Sequence, residues 1–236
     1  MTSAGEKQQS RAPQETVMID IEHLLAVPPR FHGSNGATTD AWRLDDAGLL
    51  FLASHVRTAM HTIETGAGVS TIVFALKRAR HTCVVPDRRV VRRIQRFCQA
   101  HGVSLRSVDF VLERSEFALP RLRASMYDFA LIDGRHGFPA PFLDWFYIAN
   151  RLRKGGVVLL DDTWIWTGHV LAAFLDATPG WRRCAALPNS AAFLKECDGA
   201  QHAEWVEQPF VYHQSPAARF YPSIAGRPEP RRSSRR

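Results

Sequence analysis

The residues of this chain best suited to chemistry are acids that close short apolar runs: Glu64, Asp87, Asp133 and the pair Asp161-Asp162. The first opens Glu64-Thr65-Gly66-Ala67-Gly68, after which Val69-Ser70-Thr71 leads into a segment that is apolar nearly all round. Glycine in such a turn takes positive φ and lets the backbone approach a ligand closely. The first amides of the following helix then offer unpaired donors to that ligand. Similar turns open nicotinamide-binding domains and many bind nothing, so the downstream residues must decide the use of this one. Carboxylates gathered at one cleft repel each other until a cation or a proton relieves them. His136 follows Asp133 by three residues, and histidine exchanges protons near neutral pH.

Positioning these groups requires strands and helices in alternation. Asp45 or Asp46 can cap a helix through Leu49, Leu52 and Val56. The pattern then predicts a strand at Met60–Glu64, a helix at Val69–Lys77 and a strand at His81–Val85. Asp87 can cap a helix ending near His101-Gly102, followed by strands at Asp109–Leu112 and Phe129–Ile132. A helix is expected from Phe142 to Leu152, stopped by Lys154-Gly155-Gly156, with Trp145, Phe146 and Tyr147 read as core. Val157–Leu160 is the next strand, and Val170–Leu175 the next helix. Trp181–Leu187 and Ala191–Lys195, joined by Pro188-Asn189-Ser190, suit a hairpin, so the sheet should finish antiparallel. The expected fold class is α/β, a mostly parallel Rossmann-like sheet covered by helices on both faces. Ligands in such sheets bind at the carboxyl ends of the strands, where the acids fall.

With 45% hydrophobic and 10% aromatic residues, the composition is that of a folded domain. No run approaches the roughly 20 apolar residues of a membrane span, and the polar first residues do not resemble a secretory signal. Cys83, Cys98, Cys184 and Cys197 show no Cys-x-x-Cys spacing, which reads as reduced thiols of a cytoplasmic protein. Residues 1–16 are expected to be a disordered tail, 17–216 a single domain and 217–236 a basic disordered tail. The net charge of +7 is concentrated in two places. Gly226–Arg236 holds five arginines against one glutamate, and Arg88, Arg89, Arg92, Arg93 and Arg96 share a helix face. Without interleaved aromatics, both read as solvated charge rather than a nucleic-acid surface. The loop Phe31 to Asp40 either folds over a substrate or simply connects; a homo-oligomer stays open.

The order of elements resembles the class I S-adenosylmethionine-dependent methyltransferases, whose seven-stranded sheet carries an antiparallel last strand. The resemblance spans Leu44 to Glu196 and rests on Glu64-Thr65-Gly66-Ala67-Gly68, on Leu131-Ile132-Asp133-Gly134-Arg135-His136, and on Lys154 to Asp162. It implies an enzyme that binds S-adenosylmethionine and methylates a small-molecule acceptor, most naturally at a hydroxyl oxygen. The Gly66 and Gly68 amides would then approach the methionine end of the donor, with Glu64 nearby to offset positive charge, and Ser70 and Asp133 would be further donor-binding residues. Val85 occupies the place of the usual ribose acid, so Asp87 would have to take it over; the alternative is that Asp87 only caps its helix. Ser115-Glu116 resembles the adenine contact of catechol-type O-methyltransferases, and an ordinary surface loop is the other reading.

In the catechol-type and macrolide-sugar O-methyltransferases, residues matching Asp133, Asp161 and Asp162 hold Mg²⁺, a cation that prefers hard oxygen ligands. Strand-end acids of this fold also serve without metal, as caps or substrate contacts. His136 stands where the catechol-type enzymes place a lysine base, and Arg135 departs from the acid common in the macrolide-sugar group. Trp164 and Trp166 are candidates for packing against the acceptor. Two other classes fit less of the sequence. A nicotinamide oxidoreductase would want a third glycine where Thr71 stands, and an RNA methyltransferase would lean on the basic tail.

Overall fold

The computed structural model describes residues 19–33, 42–123, 125–198 and 203–221. Its centre is a seven-stranded sheet in the order β3-β2-β1-β4-β5-β7-β6. The strands are β1 (His61–Thr65), β2 (Arg80–Val84), β3 (Val108–Val111), β4 (Tyr127–Ile132), β5 (Leu152–Leu160), β6 (Trp181–Ala186) and β7 (Ala191–Lys195). Strands β1 to β5 pair in parallel, and β7 runs antiparallel to both β5 and β6. The order reverses between β1 and β4, which places a crevice at their carboxyl ends.

Successive side chains of a strand point to opposite faces, and here both faces are buried. Phe129, Leu131 and Leu159 face one core, with helices α1 (Ile21–Ala26), α2 (Asp46–His55), α3 (Val69–Leu76) and α4 (Arg88–Ala100). Ala130, Ile132, Val158 and Leu160 face the other, with α5 (Ser115–Ala118), α6 (Ala140–Ala149) and α7 (Trp166–Ala177). Helix α4 sorts its residues as its sequence requires. Val90, Val91, Ile94 and Cys98 are buried, while Arg88, Arg89, Arg92 and Arg96 are exposed. Arg93 differs: its Nη1 donates to the carbonyls of Phe31 at 2.6 Å and Gly33 at 3.2 Å, tying the chain ahead of α2 to α4.

Three expectations are corrected. Helix α6 ends at Ala149, and Leu152 already belongs to β5. Lys154-Gly155-Gly156 therefore sits inside a strand rather than ending a helix. Tyr127 pairs with Leu152 but Phe129 with Val157, so the surplus residues bulge out, with Gly155 at φ 80°. Helix α7 begins at Trp166, earlier than its apolar core suggested. Beyond the sheet, α8 (Pro209–Gln214) seats Phe210 against Phe174 of α7 at 6.0 Å between ring centroids. A 3-10 turn at Pro216–Arg219 crosses the expected domain boundary at 216. The tail expected at 1–16, the part of the expected 217–236 tail from 222 onward, and most of the loop expected over Phe31 to Asp40 lie outside the described residues. Trp145 is buried as expected, whereas Phe146 is 41% exposed and is not core. Among the cysteines, Cys83 and Cys98 are buried and Cys184 is exposed. No helix among the described residues is long and apolar enough to cross a membrane.

Candidate active site

Strand β1 ends in the glycine turn, and the turn is locked to the tip of β4. Gly66 has φ 91°, and a Cβ built on it would lie 2.0 Å from the carbonyl oxygen of Asp133. Only glycine meets both conditions. The Gly66 amide donates to Val84 at 3.0 Å and the Asp133 amide to Thr65 at 3.1 Å, so three strand tips are joined by backbone. Gly68 precedes α3 without a side-chain cap, and its own amide donates to Thr71 Oγ1 at 3.1 Å. Ala67, Gly68, Ser70 and Asp133 line one cleft, whose far wall is Phe31, His32, Trp42 and Arg43.

Glu64 is not in that cleft. It is 1% exposed and accepts from Ser70 Oγ at 2.7 Å and from Thr71 Oγ1, while His81 Nε2 lies 3.1 Å from its Oε1. Glu64 thus lies beneath the glycine turn rather than in the cleft, and the Ser70 hydroxyl is turned to it. The acid instead holds the start of α3 against β1. Ligand atoms of Glu64, His81 and Cys83 lie within 4.8 Å of one another, the one such grouping of three among the described residues. Burial and the Glu64 charge push the Cys83 thiol well up, so it keeps its proton and donates to the Gly66 carbonyl. His81 also shares a 2.9 Å hydrogen bond with Thr62 and stacks on Phe74. The cluster is a hydrogen-bonded knot beneath the turn.

Asp87 caps α4, accepting from the Arg89 amide at 2.8 Å and from its guanidinium at 3.1 and 3.2 Å. Those bonds to Arg89 hold the carboxyl below its usual range. Of the two readings of Asp87, the cap is the one the coordinates display. Ser115 starts α5, and Glu116 pairs with Arg114 and, at 3.4 Å, with Arg135. Its carboxyl is lowered by its own backbone amide and then by the two arginines.

The expected acid triad separates into two arrangements. Asp133 and Asp161 face each other: burial pushes Asp133 well up, reinforced by Asp161, and burial raises Asp161 to about 7. A proton shared between the two carboxyls would relieve their repulsion. Asp162 turns the other way, at φ 52°, a conformation that aspartate tolerates better than most residues. Its Oδ2 lies 3.0 Å from His136 Nε2, and its Oδ1 accepts from Trp164 Nε1 at 2.7 Å. The His136 carbonyl accepts from buried Thr167 at 2.5 Å. Gly168 lets α7 approach, since a Cβ there would lie 2.5 Å from the Asp162 carbonyl oxygen. A magnesium ion wants several hard oxygens converging in near-octahedral geometry. This donor set does not fit it, because both Asp162 oxygens are engaged elsewhere and the three acids do not converge.

Several functional-looking residues were not visible beforehand. His81 sits in a β-prone run and Asp144 in an apolar helix, and nothing local marks either one. His32 and Arg43 join the cleft only through the packing of the chain ahead of α2.

Residues 63–163 match the family model described as a methyltransferase domain. No curated protein sequence matches the chain. Among solved structures, the chain is similar to the O-methyltransferase TomG of Streptomyces achromogenes, solved in complex with S-adenosylmethionine. That likeness has 16% identity, covers 66% of this chain and 82% of that one, and has a TM-score of 0.51. A putative caffeoyl-CoA O-methyltransferase of Staphylococcus aureus shares 13% identity over 64% of this chain and 84% of its own, with a TM-score of 0.54. Precorrin-6y C5,15-methyltransferase of Geobacter metallireducens shares 16% identity over 69% and 94%, with a TM-score of 0.54. The β3-β2-β1-β4-β5-β7-β6 sheet is the fold of these methyltransferases, and the methyltransferase-domain match covers residues 63–163, from β1 to just past β5.

Proposed function

We propose that the protein transfers the methyl group of S-adenosylmethionine to a hydroxyl oxygen of a small, flat acceptor, with His136 as the base. The observation that carries this reading is the 3.0 Å contact between His136 Nε2 and Asp162, beside the tips of β4 and β5. An imidazole whose Nε2–H is held by a carboxylate keeps the lone pair of Nδ1 for an incoming proton. Trp164 Nε1 steadies the same carboxylate, so the ring is oriented by a chain of two contacts. Around it Phe138, Trp164 and Trp166 are 71, 72 and 65% exposed, an apolar surface suited to a planar acceptor.

In the reaction, the acceptor oxygen bonds to the methyl carbon as the carbon–sulfur bond breaks. S-adenosylhomocysteine leaves with the electron pair, and the hydroxyl proton passes to His136 Nδ1. The protein aligns oxygen, carbon and sulfur and excludes water. The Asp133–Asp161 pair, holding one proton, keeps one negative charge near the cationic donor. No step is assigned to a metal.

Incubation with labelled donor and a panel of phenols, sugars, amines and a short RNA tests the reading. Label should pass to a phenolic or sugar hydroxyl, unaffected by a chelator. His136→Ala should lower the rate on the order of 100-fold or more, as loss of a positioned base does. Label on amines or RNA alone would overturn the acceptor assignment, and loss of turnover on chelation, restored by Mg²⁺, would reinstate the metal. Calorimetry showing binding of NAD but of neither S-adenosylmethionine nor S-adenosylhomocysteine would overturn the whole reading.

A further inference from the structure

The cleft over the glycine turn has two walls of different origin. One is the sheet tip and the first turn of α3; the other is the chain ahead of α2, which brings Phe31, His32, Trp42 and Arg43 over it. That second wall is anchored. Arg93 holds the carbonyls of Phe31 and Gly33, Phe31 is 4% exposed, and its ring meets Phe97 edge-on at 5.7 Å. His32 Nε2 lies 3.6 Å from where a Gly68 Cβ would stand, and the imidazole is hydrogen-bonded to the backbone of Ala67. Arg43 gives Nη1 to Asp46 at 2.7 Å, yet its side chain is only 17% exposed and lines the cleft. A guanidinium carries five N–H donors, so that ion pair leaves others to act.

We propose that Arg43 binds the carboxylate of the donor's methionine end, and that His32 is the positioning residue that holds the Ala67 peptide so the turn faces it. The argument is charge matching. An α-amino acid presents an ammonium and a carboxylate one carbon apart. This cleft sets Asp133 and the uncapped amides that open α3 on one wall and Arg43 on the wall opposite, so an ammonium can face the acid while a carboxylate meets the guanidinium. An arginine fork suits a carboxylate in both charge and shape. Recognition of the amino-acid end would then come from outside the glycine turn, on a segment held over it by Arg93 and by His32. The proposal rests on the methyltransferase reading above.

Calorimetry with two ligands separates the possibilities. S-adenosylhomocysteine carries the amino-acid end, and 5′-methylthioadenosine keeps the nucleoside and sulfur but lacks it. Arg43→Gln should weaken S-adenosylhomocysteine roughly 10- to 100-fold, the range of a lost charged hydrogen bond, and leave 5′-methylthioadenosine unchanged. Arg43→Lys should recover part of the loss. His32→Leu should weaken S-adenosylhomocysteine several-fold, and His32→Gln, which can still donate to a carbonyl, should restore it. Equal weakening of both ligands, or of neither, would overturn the proposal while sparing the methyltransferase assignment. Wild-type protein that binds neither ligand would overturn both.

Discussion

Asp144 offers a test of the reasoning that needs no substrate. It sits in α6 between Pro141 and Trp145, is 0% exposed, and neither carboxyl oxygen has a hydrogen-bond partner. A Cβ on Gly134 would lie 3.2 Å from its Oδ2, so the group is wedged beneath the turn that follows β4. Burial raises its pKa from 3.8 to about 6, partly opposed by the nearby Ser115 and Thr65 hydroxyls. The folded state thus binds this proton more tightly than the unfolded chain does. Below pH 3.8 both states are protonated and the group contributes nothing. Between 3.8 and about 6 the unfolded chain ionises while the folded one does not, and stability falls as pH rises. Above 6 both are ionised, and the deficit levels off at about 3 kcal/mol, from 1.36 kcal/mol per unit. Asp144→Asn abolishes the titration. Between pH 4.5 and 7.5 the stability of the variant should therefore rise relative to wild type by about 2 kcal/mol. In a domain of this size that is roughly 4 to 8 °C in Tm. Urea unfolding at closely spaced pH values measures the difference, and any constant offset from the new amide cancels. Curves for the two proteins that run parallel across this window would refute the account of Asp144.

Gly66→Ala should remove roughly 4 kcal/mol or more of stability, or prevent folding, because it combines positive φ with a clash on the Asp133 backbone. An alanine protein unfolding within 1 kcal/mol of wild type would show the turn is not locked to β4. Lys195, 2% exposed, donates to the carbonyls of Ala149 at 2.8 Å and Leu152 at 2.9 Å, joining the end of α6 to the start of β5. Lys195→Met should cost roughly 1.5 to 3 kcal/mol in urea unfolding, as charged hydrogen bonds to backbone do; no loss would mean those carbonyls find other partners.

The parts of the site that the sequence displayed are those set by neighbours in the chain. A strand, a glycine turn and a helix start occur within Glu64 to Ser70, so their order was plain. The acids at the strand ends were equally visible, because the alternation of apolar runs placed each run's last residue at the same edge of the sheet. What each acid touches was not visible, since its partner comes from another element. Glu64 meets His81 from β2, and Asp162 meets His136 from the loop after β4. Lys154-Gly155-Gly156 misled for the same reason. Two glycines read locally as a helix stop, whereas pairing with β4 on both sides keeps them within a strand.

The triad shows why spacing alone overstates a ligand set. Asp161 and Asp162 are consecutive at the end of an extended strand, where neighbouring side chains leave on opposite sides, and the left-handed φ of Asp162 turns it further. One acid was therefore free to face Asp133, and the other could not follow it. The charge of the strand tips is then relieved piecewise. Arg89 meets Asp87, and Arg114 and Arg135 meet Glu116, as ion pairs, while His81 and His136 lie within hydrogen-bonding distance of Glu64 and Asp162. Asp133 and Asp161 face each other without a basic side chain between them, at the point where the cleft over the glycine turn and the pocket beside His136 meet. On the methyl-transfer reading proposed above, a negative charge held there would attract the sulfonium donor and bind its neutral product less tightly. That difference favours release of S-adenosylhomocysteine after transfer, and it follows from where the acids' partners lie rather than from the acids themselves.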